Sequence, residues 1–458
     1  MRDPRRPRVS IVIDLGFGDA GKGLLTDYLV RRTGATVVVR YNGGAQAGHN
    51  VVTSDGRHHT FAQFGAGTFV PGVRTFLSHQ VVLHPTALLL EGRALQGKGV
   101  EDVFSRIRIS ERARVITPFH QATNRLRELA RGESRHGSCG VGVGETVRDA
   151  LEHPEETVLA GELRDVARVK RKLQRIRERK HEEVRTLWGT APTGPEVARE
   201  RAVFEHEPLI DAWLEQAAHV VTLGLVVPDS TLTTWMAASP ATVFEGAQGV
   251  LLDEWHGFHP FTTWSCCTAG NALALLAESG LDADVERLGV LRSHTVRHGA
   301  GPLPTETEEL RPVLSEHNVS NAWQGSVRYG WFDAVLARYA LDAVGGVDAL
   351  AITHLDSLKR LRTWKVCAGY QHAPEPGDSE LIAHRTGTGL VTRLAASPER
   401  ALERQARLAG WLEHAEPRLE ECGPDEEAIL EHLERLLGRR VDLVSRGPRA
   451  EDVSLRSR

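Results

Sequence analysis

Two glycines and a lysine, set between a buried strand and a helix, constrain this chain more than any other feature. VSIVIDLG (Val9–Gly16) is an apolar run ending in glycine, which reads as a strand buried on both faces. KGLLTDYLVRRTG (Lys22–Gly34) has leucines at helical spacing, arginines in its last turn and a glycine stop, and ATVVVRY (Ala35–Tyr41) is a second strand. Between the first strand and the helix, Gly16, Gly21 and Lys22 fall at the spacing of the phosphate loop G-x-x-x-x-G-K-[ST]. This strand–loop–helix–strand order is the α/β context that a phosphate loop requires.

The loop departs from the usual pattern at one position. The Ser or Thr that normally holds Mg²⁺ is replaced by Gly23. Gly16, Gly18, Gly21 and Gly23 let backbone N–H groups approach phosphate oxygens, the helix start adds its positive dipole end, and Lys22 adds a point charge. Asp19 lies inside the loop, where a carboxylate repels phosphates unless a cation stands between them. It is therefore a candidate Mg²⁺ ligand, a proton acceptor, or both.

Three more glycine-rich turns carry polar side chains. RYNGGAQAGHN (Arg40–Asn50) follows the second strand and ends near His49, a candidate proton donor. EGAQG (Glu245–Gly249) puts the Gln248 amide between glycines, where it can bond a carbonyl oxygen or a ring edge. THLD (Thr353–Asp356) closes a late strand, and Asp356 is suited to accept two hydrogen bonds from the N1–H and amine of guanine.

The rest of the chain sets limits. Its 458 residues, 41% hydrophobic and 25% charged, suit a globular protein of one elaborated core or two domains. The formal charge of −4 offers no general basic field for nucleic acid, and no apolar run reaches the roughly 18 residues of a membrane span. Five scattered cysteines without a C-x-x-C pair point to a reducing, cytoplasmic setting and away from a zinc site. Residues 1–8 read as a disordered lead-in, 150–240 as a helical subdomain insertion, and the charged segment Val166–Val184 within it as a solvated helix. Two helices, over Pro398–Glu421 and Asp425–Leu437, are predicted before a last strand, VDLVS.

Together the motifs GFGDAGKG, GGAQAGH, FEGAQGVLLD, RHGAGPLPTE, GWFDAV, THLDSL and SRGP resemble those of adenylosuccinate synthetases, in the same order and over nearly the whole chain. That resemblance implies an α/β fold, a single large P-loop-type domain with a mostly parallel central sheet and helical subdomains, and a homodimeric, Mg²⁺-dependent ligase. It uses GTP to phosphorylate the 6-oxygen of IMP and then replaces the phosphate with an amine, aspartate in the family. It implies that Asp19 takes the purine N1 proton and ligates Mg²⁺ with the Gly48 carbonyl. His49 and Lys22 then serve the transferring phosphoryl group, Gln248 holds the 6-oxygen, and Gly18, Gly21, Lys22 and Gly23 contact the GTP phosphates. Asp356, Ser445 and Gly447 take the guanine, and Gln46, Ser138, Cys139 and Thr263 the IMP phosphate.

The departures lie mainly around the amine. Where the family has T-T-G-R-R-R-R before G-W-L-D, this chain reads NAWQGSVRYGWFD, with Asn321, Trp323, Gln324 and Tyr329 and only Arg328 left of the arginine run. At about 1.5–3 kcal/mol per charged hydrogen bond, the lost contacts to a dicarboxylate amount to several kcal/mol. Arg297 and Arg328 are the arginines available to compensate. The family's G-R-G becomes Gly140-Val141-Gly142. His153 falls where family dimers carry an arginine into the neighbouring site, and His354 replaces the lysine of T-K-L-D, which leaves GTP against ATP open. The alternatives are a paralogue using another amino donor or purine nucleotide, a GTP-hydrolysing regulatory protein, and a relative that binds nucleotide without catalysis.

Overall fold

From Val9 to Asp14 every residue is buried, which requires covered sheet faces on both sides. The computed structural model describes residues 6–189, 193–314, 320–321, 323–373, 377–423 and 425–456. Among the described residues the central sheet has ten strands: β1 (Arg8–Asp14), β2 (Val37–Arg40), β3 (Arg74–Leu77), β4 (Ile107–Ser110), β5 (Val226–Val227), β6 (Ala241–Glu245), β7 (Asp284–Arg292), β8 (Ala349–Thr353), β9 (Leu443–Ser445) and β10 (Val453–Leu455). Their order is β10-β9-β8-β7-β1-β6-β2-β3-β4-β5. Every neighbouring pair is parallel except β9–β10.

This order positions the site. Strand β1 lies between β6 and β7, with Val12 opposite Glu245 on one side and Leu288 on the other. The chain leaves β1 through the helix α1 (Lys22–Thr33) and returns as β2 beyond β6. The turns after β1, β6 and β2 therefore emerge side by side at the carboxyl ends of the strands, where open α/β sheets bind ligands. The turn after β7 joins them from the other side, and Asp356 and Ser445 follow at the ends of β8 and β9.

A helical layer stands over this edge. It includes α2 (Pro118–Arg131), α3 (Val143–Glu152) and α4 (Val166–Arg185). The charged helix α4 is amphipathic, burying Val169, Leu173, Ile176 and Val184. It also buries a charge, which the largely basic run of the helix hides. Lys180 is wholly enclosed, with Nζ 2.6 Å from Asp149 Oδ1 and 3.1 Å from Glu183. Asp149 also meets His120 Nε2 at 3.0 Å and Arg179 Nη1 at 2.6 Å. Burial opposes its charge, yet the hydrogen bonds from His120 and Arg179 hold its carboxyl far below the usual carboxylate range.

One prediction fails in part. The helix expected over Pro398–Glu421 spans only Leu402–Glu413, and Glu416–Cys422 is a strand paired antiparallel with Trp364–Gln371. The acidic run has helical composition, but Pro417 removes an interior N–H, and the edge of the Trp364 strand supplies a ladder. Residues 1–5 lie outside the described residues, and β1 begins at Arg8.

Candidate active site

The absent P-loop hydroxyl has a steric cause. Gly23 packs against the strand that starts at His49, and a Cβ there would stand 2.9 Å from both the Asn50 carbonyl oxygen and His49 Cβ. The space a serine would use is filled by the turn after β2. The turn after β6 closes on the loop equally tightly: a Cβ on Gly249 would lie 2.2 Å from the Gly16 carbonyl oxygen, and Leu251 N–H donates to that oxygen at 3.0 Å.

The loop amides are not all turned outward. Asp14, at the end of β1, accepts from the N–H groups of Gly16 and Ala20 at 2.9 Å and of Gly18 at 3.3 Å. Lys22 Nζ lies 2.8 Å from its Oδ2, and both side chains are buried. The expectation that these amides and Lys22 face phosphate is thus modified. A carboxylate within the loop holds its shape, and Lys22 reaches the cavity wall with its charge shared.

A cavity of about 680 Å³ opens above the loop. It brings together Gly18, Asp19, Lys22, Gln46, Gly48 and His49 from the first two turns with Gln248 from the third. Ser138, Cys139, Thr263 and Arg297 also line it. Gly21 and Gly23 do not line it. Asp356, Ser445 and Gly447 lie outside the cavity, on neighbouring strand ends of the same sheet edge.

Among the described residues the only non-glycine residues with positive φ are Asp19 at 57°, Gln248 at 55° and His354 at 59°. Left-handed backbone costs such residues about 1–3 kcal/mol each and concentrates where function holds it. Asp19 Oδ2 is 2.7 Å from His298 Nε2, and its carbonyl accepts from Arg292 at 3.1 Å. Burial works against its charge, but His298, then Lys22 and Arg292, outweigh it and hold the carboxyl down to about 2. Asp19 is therefore a carboxylate at neutral pH.

His49 is aimed by a partner the motifs contained but did not identify. Its Nδ1 lies 2.6 Å from Glu245 Oε1, and Glu245 Oε2 accepts from Ala66 N–H at 2.9 Å. Burial lowers the His49 pKa, with Glu245 acting the other way, so the neutral ring is favoured before a ligand arrives. With Nδ1 directed at Glu245, Nε2 is the nitrogen left to serve a ligand.

Two amides mark where a polar ligand fits. Both polar atoms of Gln46, and Oε1 of Gln248, are buried with no hydrogen-bond partner among the described residues. Such groups are rare and costly in folded proteins. The opposite wall is better satisfied: Ser138 Oγ donates to Asn124 at 2.9 Å, and burial raises the Cys139 thiol, keeping it neutral.

The two arginines proposed to meet the amine are engaged elsewhere. Arg297 is buried against Phe17, 4.4 Å from the ring centroid, and donates to the carbonyls of Ala300 and Pro302, each at 2.9 Å. Burial, then the charge of Arg328, pushes its pKa down to about 9. Arg328 does not line the cavity. It pairs with Glu306 and donates to the carbonyls of Gly299 at 3.0 Å and Gly301 at 2.8 Å. Both brace the turn after residue 298. The side chain of Asn321 falls outside the described residues, while Trp323 packs over Gly140.

The family model described as adenylosuccinate synthetase matches residues 11–454. The chain belongs to the adenylosuccinate synthetase family. Adenylosuccinate synthetase of Thioalkalivibrio sulfidiphilus is 32% identical over 458 residues, covering 98% of this chain and 99% of the relative. That of Mycobacterium leprae is 31% identical, with 97% of each chain covered. A fully ligated adenylosuccinate synthetase from Plasmodium falciparum has a similar fold, with a TM-score of 0.74 at 18% identity, over 98% of this chain and 100% of that one. A cyanophage S-2L succinoaminodeoxyadenylate synthetase bound to dGMP and dATP shares the fold less closely, with a TM-score of 0.58 at 19% identity, over 98% and 95% of the two chains. The fold likeness thus covers 98% of this chain.

Proposed function

We propose that this synthetase couples GTP to carbon–nitrogen bond formation at C6 of IMP, with aspartate as the amine. The observation that carries the reading is one cavity holding an ionised Asp19 beside the Gln46 amide and the Gln248 amide oxygen, whose three polar atoms are buried without a partner among the described residues. A 6-oxopurine nucleotide complements them: an N1–H for the carboxylate, an O6 that accepts from the Gln248 amide N–H, and phosphate oxygens that accept from the Gln46 amide N–H. Asp19 takes the N1 proton, negative charge builds on O6, and this oxygen attacks the γ-phosphorus of GTP as the bond to the β–γ bridging oxygen breaks and GDP leaves. The negative charge of the bound phosphates favours the protonated form of His49, and the imidazolium, held at Nδ1 by Glu245, then donates from Nε2 to the transferring group. The amine then attacks C6 and phosphate leaves.

Mg²⁺ fits the donors present. Among the described residues no group of three His, Cys, Asp or Glu side chains forms a protein-only metal cage. The Asp19 carboxylate and the Gly48 carbonyl in the same cavity are the hard oxygen donors of a site completed by substrate phosphates. There Mg²⁺ would neutralise charge on the phosphoryl oxygens. Guanine falls to Asp356, Ser445 and Gly447, and the IMP phosphate to Gln46, Ser138, Cys139 and Thr263. We read the working form as a cytoplasmic homodimer. Among the described residues no helix is long and apolar enough to cross a membrane.

The test is an incubation with GTP, Mg²⁺ and IMP, offering aspartate or one of a panel of amines, with the product identified by mass. An aspartate adduct of the purine nucleotide supports the reading. An adduct with a different amine alone moves the chain to another donor, and GTP hydrolysis indifferent to IMP makes it a regulatory GTPase.

A further inference from the structure

We propose that His298 is a positioning residue that aims the Asp19 carboxylate at the nucleotide. The proposal rests on the ligase reading for what Asp19 does, and on geometry for how it is held. A left-handed turn places the Asp19 backbone but leaves its short side chain free to rotate. Two groups from one stretch of chain fix it. Arg292, the last residue of β7, holds the Asp19 carbonyl at 3.1 Å. Six residues on, His298 brings Nε2 to 2.7 Å from Oδ2, a contact spanning 279 residues of sequence. Among the described residues no protein donor reaches Oδ1. The bond therefore divides the carboxylate: Oδ2 is anchored and Oδ1 is left for the ligand. This is the way an outer group orients a catalytic one in metal sites and triads.

His298 also connects that carboxylate to the wall that faces the incoming amine. Its ring lines the cavity, and its short strand, Thr295–His298, pairs antiparallel with Gly325–Gly330, setting His298 opposite Val327. The next residue, Gly299, lies so near the Gln324 carbonyl oxygen that a Cβ would stand 2.7 Å from it. A shift of this wall is thus transmitted through the imidazole to Asp19.

The test compares His298→Ala with His298→Gln, whose amide N–H can reach the same oxygen. Positioning predicts that alanine lowers kcat about 10- to 100-fold, with KM for IMP and GTP changing much less, and that glutamine restores most of the loss. A second readout needs no activity: ¹⁵N NMR of the ligand-free, histidine-labelled protein, with the His298 signal assigned by its absence in His298→Gln. The proton is expected on Nε2, and that resonance is expected to shift in Asp19→Asn. Alanine activity within about twofold of wild type, or a neutral ring with Nε2 bare, overturns the proposal. If the wild type makes no product, the ligase reading falls while the NMR result still decides the bond. If His298→Ala misfolds, the glutamine variant and the spectrum remain decisive.

Discussion

Glu245 holds His49 from beneath the active site: Oε1 lies 2.6 Å from Nδ1, and neither side chain is more than marginally exposed. The pair links two turns of the sheet edge and decides which imidazole nitrogen meets a ligand. Glu245→Gln keeps the shape but removes the charge that supports His49 as a proton donor. We expect kcat to fall about 10- to 100-fold with the fold retained. Steady-state rates alongside a thermal melt will check this; an unchanged kcat removes the pair from catalysis.

Gly23 is where an ordinary phosphate loop carries its metal-binding hydroxyl, and here the space is taken by His49 and Asn50. Restoring the usual residue as Gly23→Ser is expected to overpack this contact, destabilising the protein by about 1–3 kcal/mol and lowering activity. Urea denaturation gives the stability change. A serine variant as stable as wild type would show that the two turns can separate.

Lys180 is enclosed by Asp149 and Glu183, so its loss strands carboxylates in the helical layer. Lys180→Met is expected to cost about 3–5 kcal/mol, far more than removal of an exposed ion pair. Chemical denaturation measures it. A loss below about 1 kcal/mol would mean that water reaches the cluster once the ammonium is gone.

His294 gives the protein a defined acid sensitivity. Burial, then the charges of Arg292 and His354, depresses its pKa well below the ordinary value. The unfolded chain therefore binds the proton first as pH falls. The stability contributed by the neutral ring is complete above about pH 6.5 and is lost as pH drops towards the folded pKa. Melting temperatures at pH 7.5 and 5.5 should show a smaller acid loss in His294→Gln than in wild type; equal losses would contradict the assignment.

Much of this was legible in the sequence because glycine-rich turns mark strand ends and carry their chemistry with them. Asp19, His49 and Gln248 stand in such turns, and the sheet brings all three to one cavity. Glu245 opens the EGAQG motif, yet a buried carboxylate shows its partner only once β6 and the turn after β2 are adjacent. Asp14 looks like the last residue of a strand until the loop folds back on it. His298 is a lone histidine beside a glycine, and its contact with Asp19 depends on β7 flanking β1. Arg297 and Arg328 illustrate the opposite limit. Sequence shows that a charge exists, but not that loop carbonyls have already claimed it.

The proposed reaction turns on a carboxylate in the phosphate loop that deprotonates the purine so that GTP can phosphorylate it. The most direct test follows phosphate release from GTP and Mg²⁺, with and without IMP and aspartate, in wild type and Asp19→Asn. The account predicts release that requires both IMP and the amine in wild type, and none above background in a folded Asp19→Asn. Release from GTP alone, or undiminished turnover in the variant, would contradict it.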